Sequence, residues 1–259
     1  MQTIIYDGSF EGWLTAVFDM YEYRWATAEI LPEGQRQDNI FGDSHVAITD
    51  EMKAQRVWKG LRSKVSARAS GQLYATFLSG QKGLETKMLQ YVQYVFASKY
   101  TIEQDYSHPA VLYVNEMAKK VHREKHRMEA FVRFQKTKDD LYFAIVQPDF
   151  NVLPLIKNHF EKRYADQRWL IYDGFRKYGI YYDLQKVETI EIDFGESVNY
   201  GKVLAEILDE KEIIYQQMWQ HYFKSVNIAA RKNLKLHIRH MPLRYWKYLT
   251  EKNVVFKKL

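Results

Sequence analysis

The stretch His126–Asp183, HRMEAFVRFQKTKDDLYFAIVQPDFNVLPLIKNHFEKRYADQRWLIYDGFRKYGIYYD, decides how this chain folds. Ala130, Val132 and Phe134 alternate with Phe131, Arg133 and Gln135. Lys138-Asp139-Asp140 supplies turn chemistry, after which Leu141, Phe143 and Ile145 alternate with Tyr142, Ala144 and Val146. Period-two alternation on both sides of a polar turn predicts a β-hairpin. Asn151 is placed to cap a helix with Pro154 in its first turn, where a missing N–H costs little. Val152, Leu153, Ile156 and Phe160 form that helix's buried face. Arg168–Asp173 and Tyr178–Asp183 read as two further strands joined at Gly174. The unit is therefore ββαββ. Its hairpins predict an antiparallel sheet with one face covered by helices. The expected class is α+β, a mostly antiparallel sheet with a ββαββ core unit packed against several helices.

Outward from this unit, the N-terminal side is mostly helical. Thr3–Tyr6 is a short strand, Asp7-Gly8 a turn, and Ser9 a cap for a helix carrying Phe10, Trp13, Leu14, Val17, Phe18 and Tyr21 at helical spacing. Residues 32–44 form a polar loop, and His45–Thr49 a second short strand. Thr49 or Asp50 caps a helix through about Arg68, and residues 70–128 read as all-helical, with an apolar stripe through Leu84, Met88, Tyr91, Val92 and Val95. On the C-terminal side Val187–Ile192 is an extra strand. Asp209 caps a helix from about Glu210 to Val226, with Ile214, Met218 and Tyr222 on one side, and a short helix follows Pro242. No linker or repeat divides the chain. The expectation is one domain over 1–259, subdivisible into a largely helical 1–128, the sheet unit 129–194 and a helical basic part 195–259.

The 259 residues contain no cysteine, which removes disulfides, thiolate zinc sites, iron–sulfur ligation and a cysteine nucleophile. No stretch approaches the roughly 18 apolar residues of a membrane span. With no signal peptide at the start, a cytoplasmic protein is expected, without a membrane partner. The net charge of +6 is uneven: Arg231–Leu259 holds 9 Lys/Arg against 1 Glu, leaving the remaining 29 Lys/Arg and 31 Asp/Glu at −2. A basic block of this kind suits an anionic partner, nucleic acid first, although a solvated basic tail has the same composition.

No motif assigns a reaction. His122-Arg-Glu-Lys-His126 places its Glu one residue too late for a zinc-protease helix, and no cysteine pair accompanies His122-x-Glu124. No metal and no cofactor is expected. Phosphate-binding glycine loops and the nucleophile elbow are absent. Asp7, Glu11 and Asp173, at element ends, are the catalytic candidates, though Asp at a turn is ordinarily structural. Basic residues interleaved with aromatics point instead to nucleic acid, since cations hold phosphates and aromatic faces stack bases. The candidates are Arg127, Arg133, Arg163, Gln167, Arg168, Trp169, Arg176, Tyr178, Arg244, Trp246 and Lys247, with Trp169, Tyr178 and Trp246 as stacking groups.

Four segments carry a family resemblance: YDGSFEGWLTAVF, MEAFVRFQ, PDFNVLPLIKNHFEKRYADQRWLIYDGFRKYGIYYD and RHMPLRYWKYL. The chain resembles a bacterial family described as probable DNA metabolism proteins, a domain of unknown function. That family is found beside a radical-SAM DNA modification or repair protein and is sometimes fused to a uracil-DNA-glycosylase-like domain. The resemblance implies a DNA-binding accessory protein that presents DNA to such a partner enzyme. Two alternatives stay open: a metal-dependent or carboxylate-based hydrolase or lyase acting on DNA or nucleotides, and a protein–protein scaffold without direct DNA contact.

Overall fold

A computed structural model describes residues 2–35, 44–192, 208–225 and 233–252. Residues 36–43 of the polar loop, and Arg231, Lys232, Lys257 and Lys258 of the basic tail, lie outside them. The chain divides into two compact units, Met1–His122 and Arg123–Leu259.

In the first unit, strand β1 (Gln2–Tyr6) leads through Asp7-Gly8 into helix α1 (Phe10–Glu22). The Ser9 hydroxyl accepts from the Gly12 amide at 2.9 Å and caps the helix as the sequence predicts. Ala28–Pro32 then forms strand β2. Ser44–Val46 forms β3. The sheet order is β2-β1-β3 and both pairings are parallel; α1 carries the chain back between β1 and β2.

The single helix expected up to Arg68 is two. Helix α2 (Glu51–Arg62) is capped by Asp50, and α3 (Ala67–Phe77) by Ser66. The Ser66 hydroxyl accepts from the Ala69 amide at 3.1 Å and donates to Glu103 Oε2 at 2.8 Å. That partner, distant in sequence, is why the break is invisible locally. Helix α4 (Leu84–Ala97) and the first part of α5 (Pro109–Phe131) complete the unit. Ile4, Trp13, Val17, Ile30, Leu61, Leu73, Met88 and Val92 fill its core.

In the second unit, α5 runs past Arg127 and takes Ala130 and Phe131 out of the expected strand. The Val132 amide still donates to the Met128 carbonyl at 3.1 Å, and Lys125 pairs with Glu129 at 3.2 Å. Only Gln135–Lys136 remains as strand β4. It pairs antiparallel with β5 (Tyr142–Val146) across a turn in which Asp140 has φ 60°. Helix α6 (Leu153–Arg163) crosses back over the sheet, so β6 (Trp169–Asp173) lies parallel to β5. Strands β7 (Tyr178–Tyr182) and β8 (Val187–Glu191) return antiparallel. The order β4-β5-β6-β7-β8 is thus a mixed sheet within an α+β chain.

Asn151 does not cap α6. Its side chain accepts from the Tyr178 hydroxyl, and Val152 occupies the cap position without a side-chain bond. Leu153, Ile156 and Phe160 of α6 are buried, and Trp169 stacks on Tyr182 at 5.6 Å. The apolar cluster of Phe143, Leu170 and Tyr172 takes the alternate strand positions. After the sheet come α7 (Glu212–Ser225), α8 (Leu234–His240) and a 3-10 helix, Leu243–Tyr248. Among the described residues no helix is long and apolar enough to cross a membrane.

Candidate nucleic-acid interface

The second unit is anchored by one carboxylate that composition gives no reason to notice. Glu124 sits on α5 with its side chain 2% exposed. Arg244 Nη2 lies 3.0 Å from its Oε2, and the Asp149 amide donates to its Oε1 at 3.0 Å. The Tyr245 hydroxyl donates to Oε1, and Arg127 Nη1 approaches Oε2 at 3.5 Å. A buried carboxylate requires such a set, since desolvation without partners would be prohibitive. Burial, then the hydrogen bond and charge of Glu124, push the Tyr245 phenol far above its ordinary value, so it stays a donor. Arg244 Nη2 also reaches Asp149 Oδ2 at 2.7 Å.

The loop joining β5 to α6 is held from its other side by the β6–β7 turn. Arg176 donates to the carbonyls of Pro148 and Asp149 at 3.1 and 3.0 Å, and to Asp173 Oδ2 at 2.8 Å. Asp173 is fully buried, and its Oδ1 accepts from the Phe175 and Arg176 amides at 2.9 and 3.1 Å. It works here as a turn organiser. Lys247 Nζ donates to Gln147 Oε1 at 2.7 Å. The fold therefore gathers Arg176, Tyr178, Arg244 and Lys247 around residues 147–151, and Arg127 joins them through Glu124.

The other candidates lie elsewhere. Arg133 pairs with Glu251 at 2.9 Å, and Arg168 Nη2 donates to the Asp139 carbonyl at 2.6 Å. Arg163 is exposed and lies over the Tyr164 ring at 5.8 Å, and Gln167 is half-buried. Trp169 corrects the sequence reading. It is 0% exposed, packed against Phe134, Phe160 and Tyr182, and offers no face to a base. Trp246 is half-buried, with Lys252 over its ring at 4.7 Å and its Nε1 donating to the Met241 carbonyl at 3.0 Å.

Sequence reasoning missed Glu124 and Asp149, and also the exposed cations Arg123 and Arg239. Arg123 and Arg239 lie in the basic runs KKVHREKHR and KLHIRH, so charge alone could have found them. Among the described residues Arg123 and Arg239 have no ion-pair partner. Arg127 Nη2 donates to the Arg239 carbonyl at 3.4 Å, which joins the end of α5 to the end of α8.

Asp7 and Glu11 belong to the first unit. Asp7 Oδ1 accepts from the Ser9 amide and hydroxyl at 2.8 and 2.7 Å, and Oδ2 from the Thr49 hydroxyl at 2.8 Å. Burial raises the Asp7 carboxyl, but these hydrogen bonds outweigh it and hold the group below its ordinary value. Glu11 is exposed in the first turn of α1, where a negative charge complements the helix dipole. Among the described residues no group of three or more His, Asp or Glu side chains could hold a metal ion.

Comparison with known proteins adds a family. The sequence model of a family described only as a domain of unknown function, DUF4130, matches residues 82–251. No curated protein matches. A solved structure of a pGpG-specific phosphodiesterase from Vibrio cholerae aligns over 87% of this chain and 99% of its own, at 8% identity and a TM-score of 0.35. A likeness that slight carries no argument.

Proposed function

The chain belongs to the DUF4130 family of domains of unknown function, and from its own geometry we propose that it binds DNA through the cations gathered around Glu124. One observation carries this reading. Arg127 and Arg244 converge on a single buried carboxylate. Arg244 spends Nη2 on its internal partners. Its Nε and Nη1 donors make no hydrogen bond among the described residues. An arginine pinned along one edge presents the other in a fixed direction, so little rotamer freedom remains to be lost when phosphate binds. Arg123, Arg239 and Lys247 are exposed and add to Arg127 and Arg244, five cations against the two carboxylates of Glu124 and Asp149.

The resemblance in YDGSFEGWLTAVF and the later segments supports placing this binding in DNA repair or modification. The protein then acts as an accessory that presents DNA to a partner enzyme, a radical-SAM protein or a glycosylase. Fluorescence anisotropy with labelled single- and double-stranded DNA across a salt series tests the reading. Binding should weaken steeply with salt, and Arg123→Ala and Arg239→Ala should each reduce the log–log salt slope by about one. Absence of binding to every DNA at low salt overturns it.

A further inference from the structure

Helix α7 is packed inside out. Its inward face is polar: Glu212 and Gln216 are buried, and Gln220 is half-buried one turn further on. Glu212 Oε2 accepts from the Lys136 amide at 3.1 Å, and Oε1 accepts from Gln216 Nε2 at 3.2 Å. Gln220 Nε2 donates to the Thr250 carbonyl at 3.0 Å, and Trp219 Nε1 to Glu251 Oε2 at 3.0 Å. On the outer side Ile214, Met218 and Tyr222 repeat every four residues and are 57%, 62% and 58% exposed, with Tyr215 beside them at 57%. A surface helix ordinarily does the reverse. This one cannot roll to hide its apolar stripe without giving up the hydrogen bonds that seat it. Among the described residues nothing covers the stripe, so it is open to whatever partner suits it.

Charge decides which. From Ile213 to Phe223 there is no Lys, Arg, Asp or Glu. The face has no fixed cation for a phosphate backbone and no fixed charge to match a charged protein surface. Its complement is another uncharged apolar helix, and the stripe is its own complement. Two copies packed antiparallel about a two-fold axis set Met218 against Met218 and Ile214 against Tyr222. The same arrangement lays the positive end of each helix dipole beside the negative end of the other. With about 200 Å² for a whole side chain of this size, the four exposed shares come to roughly 500 Å² per copy, the size of a weak, reversible interface. We infer that the α7 stripe of Ile214, Met218 and Tyr222 is the surface through which two copies of this chain pair.

Sedimentation velocity of the full chain over a concentration series tests this. The expected result is a reversible monomer–dimer equilibrium. Met218→Arg, which sets two like charges at the axis, should raise the dimer dissociation constant at least tenfold with an unchanged circular dichroism spectrum. Mixing Met218→Arg with Met218→Glu chains should restore the dimer. Should Met218→Arg alter the spectrum, Tyr222→Lys at an equally exposed position gives the same reading. A wild-type chain that stays monomeric at every concentration of the series overturns the inference. So does a dimer indifferent to both substitutions.

Discussion

Asp7 shows what a single residue does here. Its carboxylate sits where a side chain at position 12 would go: a Cβ on Gly12 would lie 2.2 Å from Asp7 Oδ1 and 2.8 Å from Thr49 Oγ1. Gly12→Ala should therefore cost about 1–3 kcal/mol in urea unfolding, as overpacking does, although alanine is the better helix former. Asp7 is also held below its ordinary carboxyl value. Glu251 is held low too: burial raises it, but the Arg133 hydrogen bond and charge lower it further. A group whose folded value is depressed stabilises the fold above its unfolded value and loses that contribution as pH falls through the folded one. Stability should drop as pH goes below about 4, and Asp7→Asn should flatten part of that drop in urea titrations between pH 7 and 3. Glu124 is the opposite case for legibility. The Ser9 cap can be read from four consecutive residues, whereas Glu124 is one acid in a basic run, and its partners Asp149 and Arg244 are 25 and 120 positions away. Glu124→Gln leaves two guanidinium groups short of their charge and should cost roughly 2–3 kcal/mol, measured by chemical denaturation.

At the level of elements, the ββαββ order was legible because its alternations and turns are local. The limits came where one stretch satisfies two periods. Met128, Phe131 and Val132 sit at helical spacing while Ala130, Val132 and Phe134 alternate, and the hydrogen bonds already running along α5 extend the helix through Phe131. Parallel pairing of β5 with β6 was legible only in hindsight, from a helix standing between two strands. Trp169 marks the price of reading side chains without their neighbours. A tryptophan flanked by Arg168 looks like a stacking group, yet it begins a strand buried at all five positions. Trp169→Ala should destabilise by about 3–5 kcal/mol, as truncation of a buried aromatic does, and thermal unfolding will report it. DNA affinity measured below the unfolding transition should change little.

For the whole molecule, the net charge misleads if taken as a count of available cations. Arg133 and Arg176 are spent on Glu251 and Asp173, and Arg244 gives one edge to Glu124 and Asp149, so a basic sequence folds into a surface with fewer open cations than its composition promises. Which arginines remain open is a property of the tertiary structure, and only the basic runs hinted at Arg123 and Arg239. The same pairs have a consequence during synthesis. Glu124 leaves the ribosome 120 residues before Arg244, and Arg133 leaves 118 before Glu251. The second unit thus cannot complete its buried polar anchor while its own last segment is still being made. Contacts of such long sequence separation slow folding. Translation finishes most of the sheet unit before the 3-10 helix and Glu251 arrive to close it, so ribosome-stalled chains ending near residue 240 should remain protease-sensitive throughout Arg123–His240.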